Sequence, residues 1–272
     1  MSLTILPLLA PNPGMMTGRG TNTYVVGDET GCIVIDPGCD DAGHLAAIAT
    51  AGAGLGGIRA IFVTHAHSDH IGGAAALGIA VAAPVLGLHR SAEGVPFAAA
   101  QLVDGAEWPV GRGHLHIFST PGHRFDHCCL WHAPTGDLFA GDLIAGEGTV
   151  VVIPPEGDMA QYLDSLARIR ALPLVHIWPG HGPRIDDPSS RIDDLIAHRH
   201  AREARVLAAL TDAVTPQTLD QLVPVVYADT DPARFGWASR SLLAHLLRLE
   251  SAGQVTRPTA TDESGPWQLL QR

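Results

Sequence analysis

Lysine is absent from this chain of 272 residues, and all 17 basic side chains are arginine. Only 17% of the residues are charged and only 5% are aromatic, and the formal net charge is −11. Because contacts to phosphate need clustered positive charge, this acidic balance argues against strong non-specific affinity for nucleic acid. We attribute the absence of lysine first to the base composition of the genome and only second to function.

Long apolar runs and regularly spaced cysteines are also missing. No segment approaches the ~20 apolar residues of a membrane span, and the apolar stretch at residues 5–9 has no basic region before it, so we expect a first strand there and not a secretory signal. The cysteines lack the spacing of a zinc knuckle or a secreted disulfide framework: Cys32, Cys39, Cys128 and Cys129. We therefore expect reduced thiols, a cytoplasmic protein and no membrane association.

What the sequence does contain is a dense group of metal-ligand side chains. Three histidines and one aspartate fall within six residues, in the segment Thr64-His65-Ala66-His67-Ser68-Asp69-His70. The apolar run before it, residues 58–63, predicts a buried strand. Imidazole nitrogen and carboxylate oxygen are ligands of Zn²⁺ and similar cations. We interpret the segment as half of a metal site; the alternative is a polar loop that happens to be rich in histidine.

The surrounding patterns predict strands in two runs, interleaved with helices. Short β-rich runs at 23–26 and 32–35 predict a hairpin, and residues 42–51 predict a helix. Further strands are predicted at 81–86, 114–119, 128–131, 138–140 and 174–178, with an amphipathic helix at 158–172. In residues 87–106 the apolar side chains do not recur at a regular interval, and we predict a loop or lid with a short helix there. This order fits an α+β fold, an αββα sandwich of two sheets with helices outside.

Three later strands end in turns that carry a ligand-type side chain beside glycine, at residues 119–123, 139–142 and 178–182. With the first segment they complete a candidate ligand set: His65, His67, Asp69, His70, His123, Asp142 and His181. In the simplest assignment the first cation is held by His65, His67 and His123. The second is held by Asp69, His70 and His181. Asp142 bridges the two.

These residues resemble the metallo-β-lactamase superfamily, whose signature includes an HxHxDH run and later His, Asp and His on strand ends. The resemblance covers about residues 1 to 200. A closer resemblance is to the β-lactamase-like protein 2 group, which includes single-strand-specific endoribonucleases and carries a winged-helix-like C-terminal domain. The supporting segments are residues 12–14, 20–24 and 146–149, and the pairs His198-Arg199 and Arg202-Glu203.

The resemblance implies hydrolysis by a hydroxide that bridges two zinc ions, although iron and manganese also accept such ligands. Asp69 would orient the nucleophile or take its proton, besides binding a metal. Single-stranded RNA is the implied substrate. A glyoxalase-II-like thioesterase or a lactonase is the alternative, ahead of a true β-lactamase. From another class, a binding or regulatory protein could keep the fold without turnover, but the intact ligand set argues against it.

Five further residues are candidates for contact with substrate or for support of the ligands. Asn22 and Tyr24 either line the site or form hydrogen bonds within the hairpin, and His127 either supports the site or is a buried histidine at a strand start. His198 and Arg199 belong to the densest basic group of the chain, with His200, Arg202 and Arg205. We interpret that group first as a solvated helix face and second as a contact for an anionic substrate.

Residues 183–188 mark a boundary between a catalytic domain, 1–188, and a linking helix with a winged-helix-like domain, 189–272. Ser190 is the predicted cap of the linking helix. Helices at 219–226 and 239–251 and strands at 254–256 and 267–270 follow. Six acidic residues and five arginines after position 215 do not form a basic recognition helix, so we do not expect strong binding of duplex DNA. Packing, a homodimer contact or shaping of the substrate channel are the expected roles.

Overall fold

The computed structural model describes residues 3–88, 100–258 and 265–270. Its first sheet has six strands in chain order: β1 (Thr4–Leu9), β2 (Asn22–Asp28), β3 (Gly31–Ile35), β4 (Ile58–Phe62), β5 (Val85–Gly87) and β6 (Ala100–Gln101). The first three strands pair antiparallel, and β3 to β6 pair in parallel. The carboxyl ends of β3 and β4 therefore lie at the same edge of the sheet.

The second sheet follows β11-β10-β9-β8-β7, with β7 (Glu107–Val110), β8 (Gly113–Ser119), β9 (Cys128–His132), β10 (Asp137–Gly141) and β11 (His176–Pro179). Its pairs are antiparallel except β10 with β11, which is parallel. As a result β8, β10 and β11 all run in the same direction and end at the same edge.

Helices cover the outer faces of both sheets. The helices beside the first sheet are α1 (Ala42–Gly54), the single turn α2 (Ser68–Ile71) and α3 (Ala74–Val81). Those beside the second sheet are α4 (Met159–Arg170) and α5 (Pro188–Thr211). The C-terminal module contains α6 (Leu219–Val226), the 3-10 turn Pro232–Arg234, α7 (Phe235–Ser251), β12 (Val255–Thr256) and β13 (Gln268–Leu269).

Apolar side chains fill the space between the two sheets. Tyr24 of β2 contacts Phe139 and Trp178 of the second sheet, with ring centroids 5.4 and 5.7 Å apart. Outside the sheets, Ile48 of α1 packs on the first sheet and Leu166 of α4 packs on the second. Each sheet thus buries both of its faces, and the predicted αββα sandwich is confirmed.

Helix α5 contributes to two hydrophobic cores. Ile192 and Leu195, near its start, pack with α4 against the second sheet. Val206 and Leu210, near its end, pack with α6 and α7. One continuous helix therefore joins the sandwich to the C-terminal module, whose helices and two-stranded sheet have the predicted winged-helix layout.

Most predicted elements are present, with three differences. The strand predicted at 81–86 is wrong in its first half, because Val81 ends α3 and β5 begins only at Val85; a short apolar run does not distinguish a buried helix end from a strand. Helix α7 begins at Phe235, four residues before the predicted 239. Much of the loop or lid predicted at 87–106 lies outside the described residues, and the described part includes β6.

The third difference concerns the start of α5. Asp187, not Ser190, is the N-cap: its carboxylate accepts a hydrogen bond from the Ser190 backbone N–H at 3.1 Å, and Pro188 occupies the first turn. Proline suits that position because its fixed φ matches a helix and it has no N–H to satisfy.

None of the helices in the described parts of the chain combines the length and the apolar composition needed to cross a membrane. The four cysteines all lie in those parts and are unpaired.

We predict that Asp187→Ala lowers the free energy of unfolding by about 0.5–2 kcal/mol, because it removes the side chain that caps α5. Ser190→Ala is the matched control, and its effect should stay within about 0.5 kcal/mol since its exposed hydroxyl is not the cap. Urea unfolding of both variants measures the difference. A larger loss for Ser190→Ala would contradict the assignment of the cap.

Candidate metal centre

The seven predicted ligands meet at the edge of the sandwich where four strands end. His65 to His70 follow β4, His123 follows β8, Asp142 follows β10 and His181 follows β11. Their ligand atoms form two groups, each with its atoms within 4.8 Å of one another: His65, His67, His123 and Asp142, and Asp69, His70 and His181. The structure thus brings together every side chain of the predicted set.

Two glycines allow the backbone to approach this edge closely. A Cβ on Gly180 would lie 2.7 Å from Asp142 Oδ1 and 2.7 Å from His70 Cε1. Gly141 has a positive φ of 45°, and a Cβ there would lie 2.7 Å from His127 Nε2. Side chains at either position would displace the groups that form the site.

Hydrogen bonds behind the histidines fix which ring nitrogen faces the site. His70 Nδ1 contacts Asp36 Oδ2 at 2.8 Å, His123 Nδ1 contacts the Val151 carbonyl at 2.7 Å and His65 Nδ1 contacts Thr64 Oγ1 at 3.1 Å. His181 Nδ1 lies 3.4 Å from the Gly20 carbonyl. With Nδ1–H donating outward, Nε2 of each ring presents its lone pair inward, which is the usual arrangement behind metal-binding imidazoles.

In the first group the ring nitrogens are closely spaced. His67 turns its Nδ1 inward, 2.8 Å from His65 Nε2 and 3.0 Å from His123 Nε2. Ligands of a tetrahedral cation such as Zn²⁺ are about 3.3 Å apart. Two facing lone pairs at these distances repel each other unless a proton or a cation lies between them, so the group fits a cation.

Asp142 lies between the two groups. Its Oδ1 is 3.4 Å from His70 Nε2 and 3.5 Å from His181 Nε2, whereas its Oδ2 is 3.6 Å from His123 Nε2. Each oxygen therefore faces a different group, as the predicted bridging role requires. Asp142 Oδ1 is buried and has no hydrogen-bond partner, and a bound cation would compensate this otherwise unfavourable burial.

Asp69 completes the second group. Its Oδ2 lies 3.2 Å from His181 Nε2 and 3.7 Å from His70 Nε2. Its side chain keeps 25% of its surface exposed, more than His70 or His181. Asp69 is therefore the carboxylate of the set that is best placed to meet both a cation and an incoming substrate.

The two groups differ in how readily they take up protons. Burial, and then neighbouring histidines, lower the pKa of His65 far below its usual value, and the same two causes lower the pKa of His67 to about 4. Burial also lowers the pKa of His70, but the charges of Asp142 and Asp36 outweigh it and raise that pKa well above the usual value. Protonation is therefore disfavoured for the histidines of the first group and favoured for His70 and His181 of the second, whose pKa values are raised.

Asp36 is a functional residue that the sequence reasoning missed. Its carboxylate accepts hydrogen bonds from the Thr64 backbone N–H at 2.8 Å and from Thr64 Oγ1 at 2.7 Å, besides contacting His70. Asp36 itself has a positive φ of 48°. The available signal was its place at the end of β3 before Pro37-Gly38, the same pattern of a strand followed by a turn that precedes the predicted ligands.

His127 supports the site from behind. It is fully buried, its Nε2 accepts the Asp142 backbone N–H at 3.0 Å and its Nδ1 contacts Thr120 Oγ1 at 2.8 Å. Burial, and then His123, lower its pKa to about 3, so the ring is neutral. The structure places His127 next to Asp142 and away from solvent.

Asn22 and Tyr24 hold the turn that carries His181. Asn22 Nδ2 donates to the carbonyls of Pro179 and Gly182 at 3.0 and 2.8 Å, and the Tyr24 hydroxyl donates to the Pro179 carbonyl at 2.7 Å. These bonds reach across the two sheets, which neither of the sequence interpretations foresaw.

The rim beside His67 contains a charged group that sequence reasoning also missed. The buried guanidinium of Arg124 forms ion pairs with Asp126 at 2.8 Å and with the exposed Glu156 at 2.6 Å. Glu156 Oε2 lies 3.9 Å from His67 Nε2. The positive charge of Arg124 is thus balanced by acidic neighbours.

The basic group on α5 divides into buried and exposed members. The prediction of a solvated face is wrong for Arg199 and Arg202, which are buried, and it holds for His200 and Arg205. His198 is half-buried, and burial followed by Arg199 lowers its pKa to about 4. Sequence spacing alone did not show which side of this helix is buried.

We predict that acidification releases a cation from the second group first. Protons on His70 and His181, whose pKa values are raised, compete with the metal, so affinity falls about tenfold per pH unit for each proton displaced. The first group should keep its affinity until the pH approaches the pKa of His67, about 4. Chelator competition at pH 8, 7 and 6 measures both constants; equal slopes for the two cations would contradict this prediction.

Known proteins resemble this chain in sequence and fold. A beta-lactamase-like protein 2 homolog from Caenorhabditis elegans is 32% identical over 246 residues, 88% of this chain and 80% of that protein. An atrochrysone carboxyl ACP thioesterase from Aspergillus fumigatus is 31% identical over 212 residues, 77% of this chain and 66% of that protein. The crystal structure of a beta-lactamase domain protein from Burkholderia ambifaria shares the fold, with a TM-score of 0.82 at 23% identity over 97% of this chain and 91% of that one.

Family models match both parts of the chain. The model of the metallo-beta-lactamase superfamily matches residues 16–181, which include every member of the candidate ligand set. The model of the beta-lactamase associated winged helix domain matches residues 218–267, which begin just before α6 and end just before β13. With the sandwich fold and the two ligand groups at its edge, these matches establish that the chain belongs to the metallo-beta-lactamase superfamily.

Proposed function

We propose that this protein is a hydrolase that uses two divalent cations, held by the seven side chains at the edge of the sandwich. The observation that supports it best is the placement of Asp142, whose two oxygens face different ligand groups. The superfamily is generally one of metal-dependent hydrolases. We propose zinc as the native metal because imidazole and carboxylate ligands suit it, and iron and manganese are the alternatives.

A pair of cations, when bound, lowers the pKa of water toward neutrality and polarises the carbonyl or phosphoryl oxygen that is attacked. The chain itself orients the reacting groups. Asp69, partly exposed and beside His181, is placed to accept a proton from the attacking water. Hydrogen bonds that Asp36, His127 and the Val151 carbonyl accept hold the ligands in position, so little reorganisation is needed during the reaction.

We propose a small thioester or ester as the substrate. The structure reduces the support for RNA, because Arg199 and Arg202 are buried and Arg124 is paired with two carboxylates. The chain is also strongly acidic, and binding a phosphate backbone needs positive charge. One relative is named as a thioesterase, which supports the same choice, while single-stranded RNA remains the second candidate through the resemblance to the β-lactamase-like protein 2 group.

The four unpaired cysteines support a reducing compartment, and we propose the cytoplasm.

One preparation tests the metal and the substrate together. Bound metal is measured by elemental analysis, and the same sample is assayed against an acyl-glutathione thioester, a lactone, a β-lactam and single-stranded RNA. We expect two metal ions per chain and turnover of the thioester, both reduced in a His67→Ala control. Cleavage of RNA that is lost in the control, without turnover of the thioester, would replace the thioester with RNA; activity that persists in the control indicates contamination.

We predict that Asp69→Ala abolishes turnover and weakens the binding of one of the two cations. The change removes both a ligand of the second group and the proposed proton acceptor, and loss of such an acceptor costs roughly 10²- to 10⁴-fold in rate. The measurements are kcat and metal content. Asp193→Ala, on the exposed face of α5, is the control for the loss of a carboxylate. Full activity with two bound metals in Asp69→Ala would refute the assignment.

A further inference from the structure

Arg199 is a buried cation that the proposed reaction does not use. It lies on α5 with 4% of its surface exposed. Its Nη2 donates to the Val150 carbonyl at 2.7 Å, and its guanidinium carbon lies 5.1 Å from the centroid of the Tyr162 ring. Burial of a guanidinium costs free energy unless its partners compensate for the lost hydration. The Val150 carbonyl and the Tyr162 ring compensate for part of this cost, while Arg199 Nε is buried without a hydrogen-bond partner in the described part of the chain.

Both contacts lead to ligands of the proposed metal centre. Val151, the residue after Val150, provides the carbonyl that contacts His123 Nδ1 at 2.7 Å. The Tyr162 hydroxyl donates to the carbonyl of Leu143 at 3.0 Å, and Leu143 directly follows Asp142. Arg199 therefore contacts the residue before the one whose carbonyl holds His123, and it contacts the ring whose hydroxyl holds the backbone that follows Asp142.

Tyr162 also supports His123 from its other side. Gly122 precedes His123 and has a φ of 142°, and a Cβ there would overlap the backbone of Tyr162. The Gly122 carbonyl accepts a hydrogen bond from the Asp158 backbone N–H at 2.8 Å, at the start of α4. The backbone of Tyr162 thus packs closely on the turn that carries His123, so a displacement of Tyr162 along α4 would move that turn.

We propose that Arg199 is a positioning residue for the metal centre, acting through Val150 and Tyr162 on the backbone that orients His123 and Asp142. This inference rests on the proposed metal-dependent function. It gives the His198-Arg199 pair, first noted as part of a family resemblance, a physical role that needs no contact with substrate.

Arg202, on the same helix, is a matched control. It is 6% exposed, its guanidinium carbon lies 4.1 Å from the centroid of Tyr227, and its Nη1 donates to the Val226 carbonyl at 2.5 Å. It also pairs with Asp229 at 2.9 Å. Its chemistry and burial match those of Arg199, but its partners belong to the C-terminal module and not to the segments that carry the ligands.

The test compares Arg199→Met with Arg202→Met in the full chain. Affinity for Zn²⁺ is measured by competition with a chromophoric chelator, the site is probed by the absorption of bound Co²⁺, and urea unfolding reports stability. We expect Arg199→Met to lose roughly 10- to 100-fold in affinity for one cation, the usual effect of changing a residue that supports a metal ligand. We also expect the absorption spectrum of bound Co²⁺ to change. Arg202→Met should lower the urea midpoint while both cations bind as in the unchanged protein.

A charge-retaining pair covers the case in which Arg199→Met does not fold. Lysine keeps the charge and one donor but not the planar guanidinium, so Arg199→Lys should lie between the unchanged protein and Arg199→Met in metal affinity, while Arg202→Lys should match the unchanged protein. Equal metal affinities across the Arg199 and Arg202 variants would overturn the positioning role. Absence of metal from the unchanged protein would instead refute the proposed function.

Discussion

The main physical constraint on the site is that the fold brings ligand atoms so close together that their lone pairs repel one another. Five imidazole nitrogens and two carboxylates meet at one edge of the sandwich, and the closest ring nitrogens are 2.8 Å apart. Four rings donate Nδ1–H outward, and the one proton that a neutral His67 could place on its inward Nδ1 cannot lie between that atom and both His65 Nε2 and His123 Nε2. A cation would remove this repulsion, so metal binding would stabilise the folded chain.

The strand directions explain why so many ligands meet in one place. In both sheets the strands that carry ligands end at the same edge, and each continues into a turn. The strands supply rigidity, and the turns supply the freedom to aim a side chain. Ligand sites at the carboxyl ends of strands are common in open sheets for the same reason.

Local patterns were enough to predict the sandwich and the ligand set. The spacing of His65 to His70 and the repeated form of a strand, a turn and a polar side chain are contained within short segments. What the sequence did not reveal depends on distant contacts: Asp36 acts through Thr64 and His70, 28 and 34 positions later. Likewise the two buried arginines of α5 have the same spacing as solvated ones, and only the packing of Tyr162 and Tyr227 against them distinguishes the two cases. The cap of α5 was misplaced because serine and aspartate are both good caps, and only the hydrogen bond shows which one is used.

The sharing of α5 between two cores limits how this protein can change over evolutionary time. Each residue inserted into an α-helix rotates everything after it by about 100°. A single insertion between Leu195 and Val206 would therefore turn one core-facing set of side chains away from its partners, since both sets lie on the same continuous helix. The catalytic sandwich and the C-terminal module are consequently not interchangeable parts, and a chimera that exchanges one module would have to preserve the helical phase of α5.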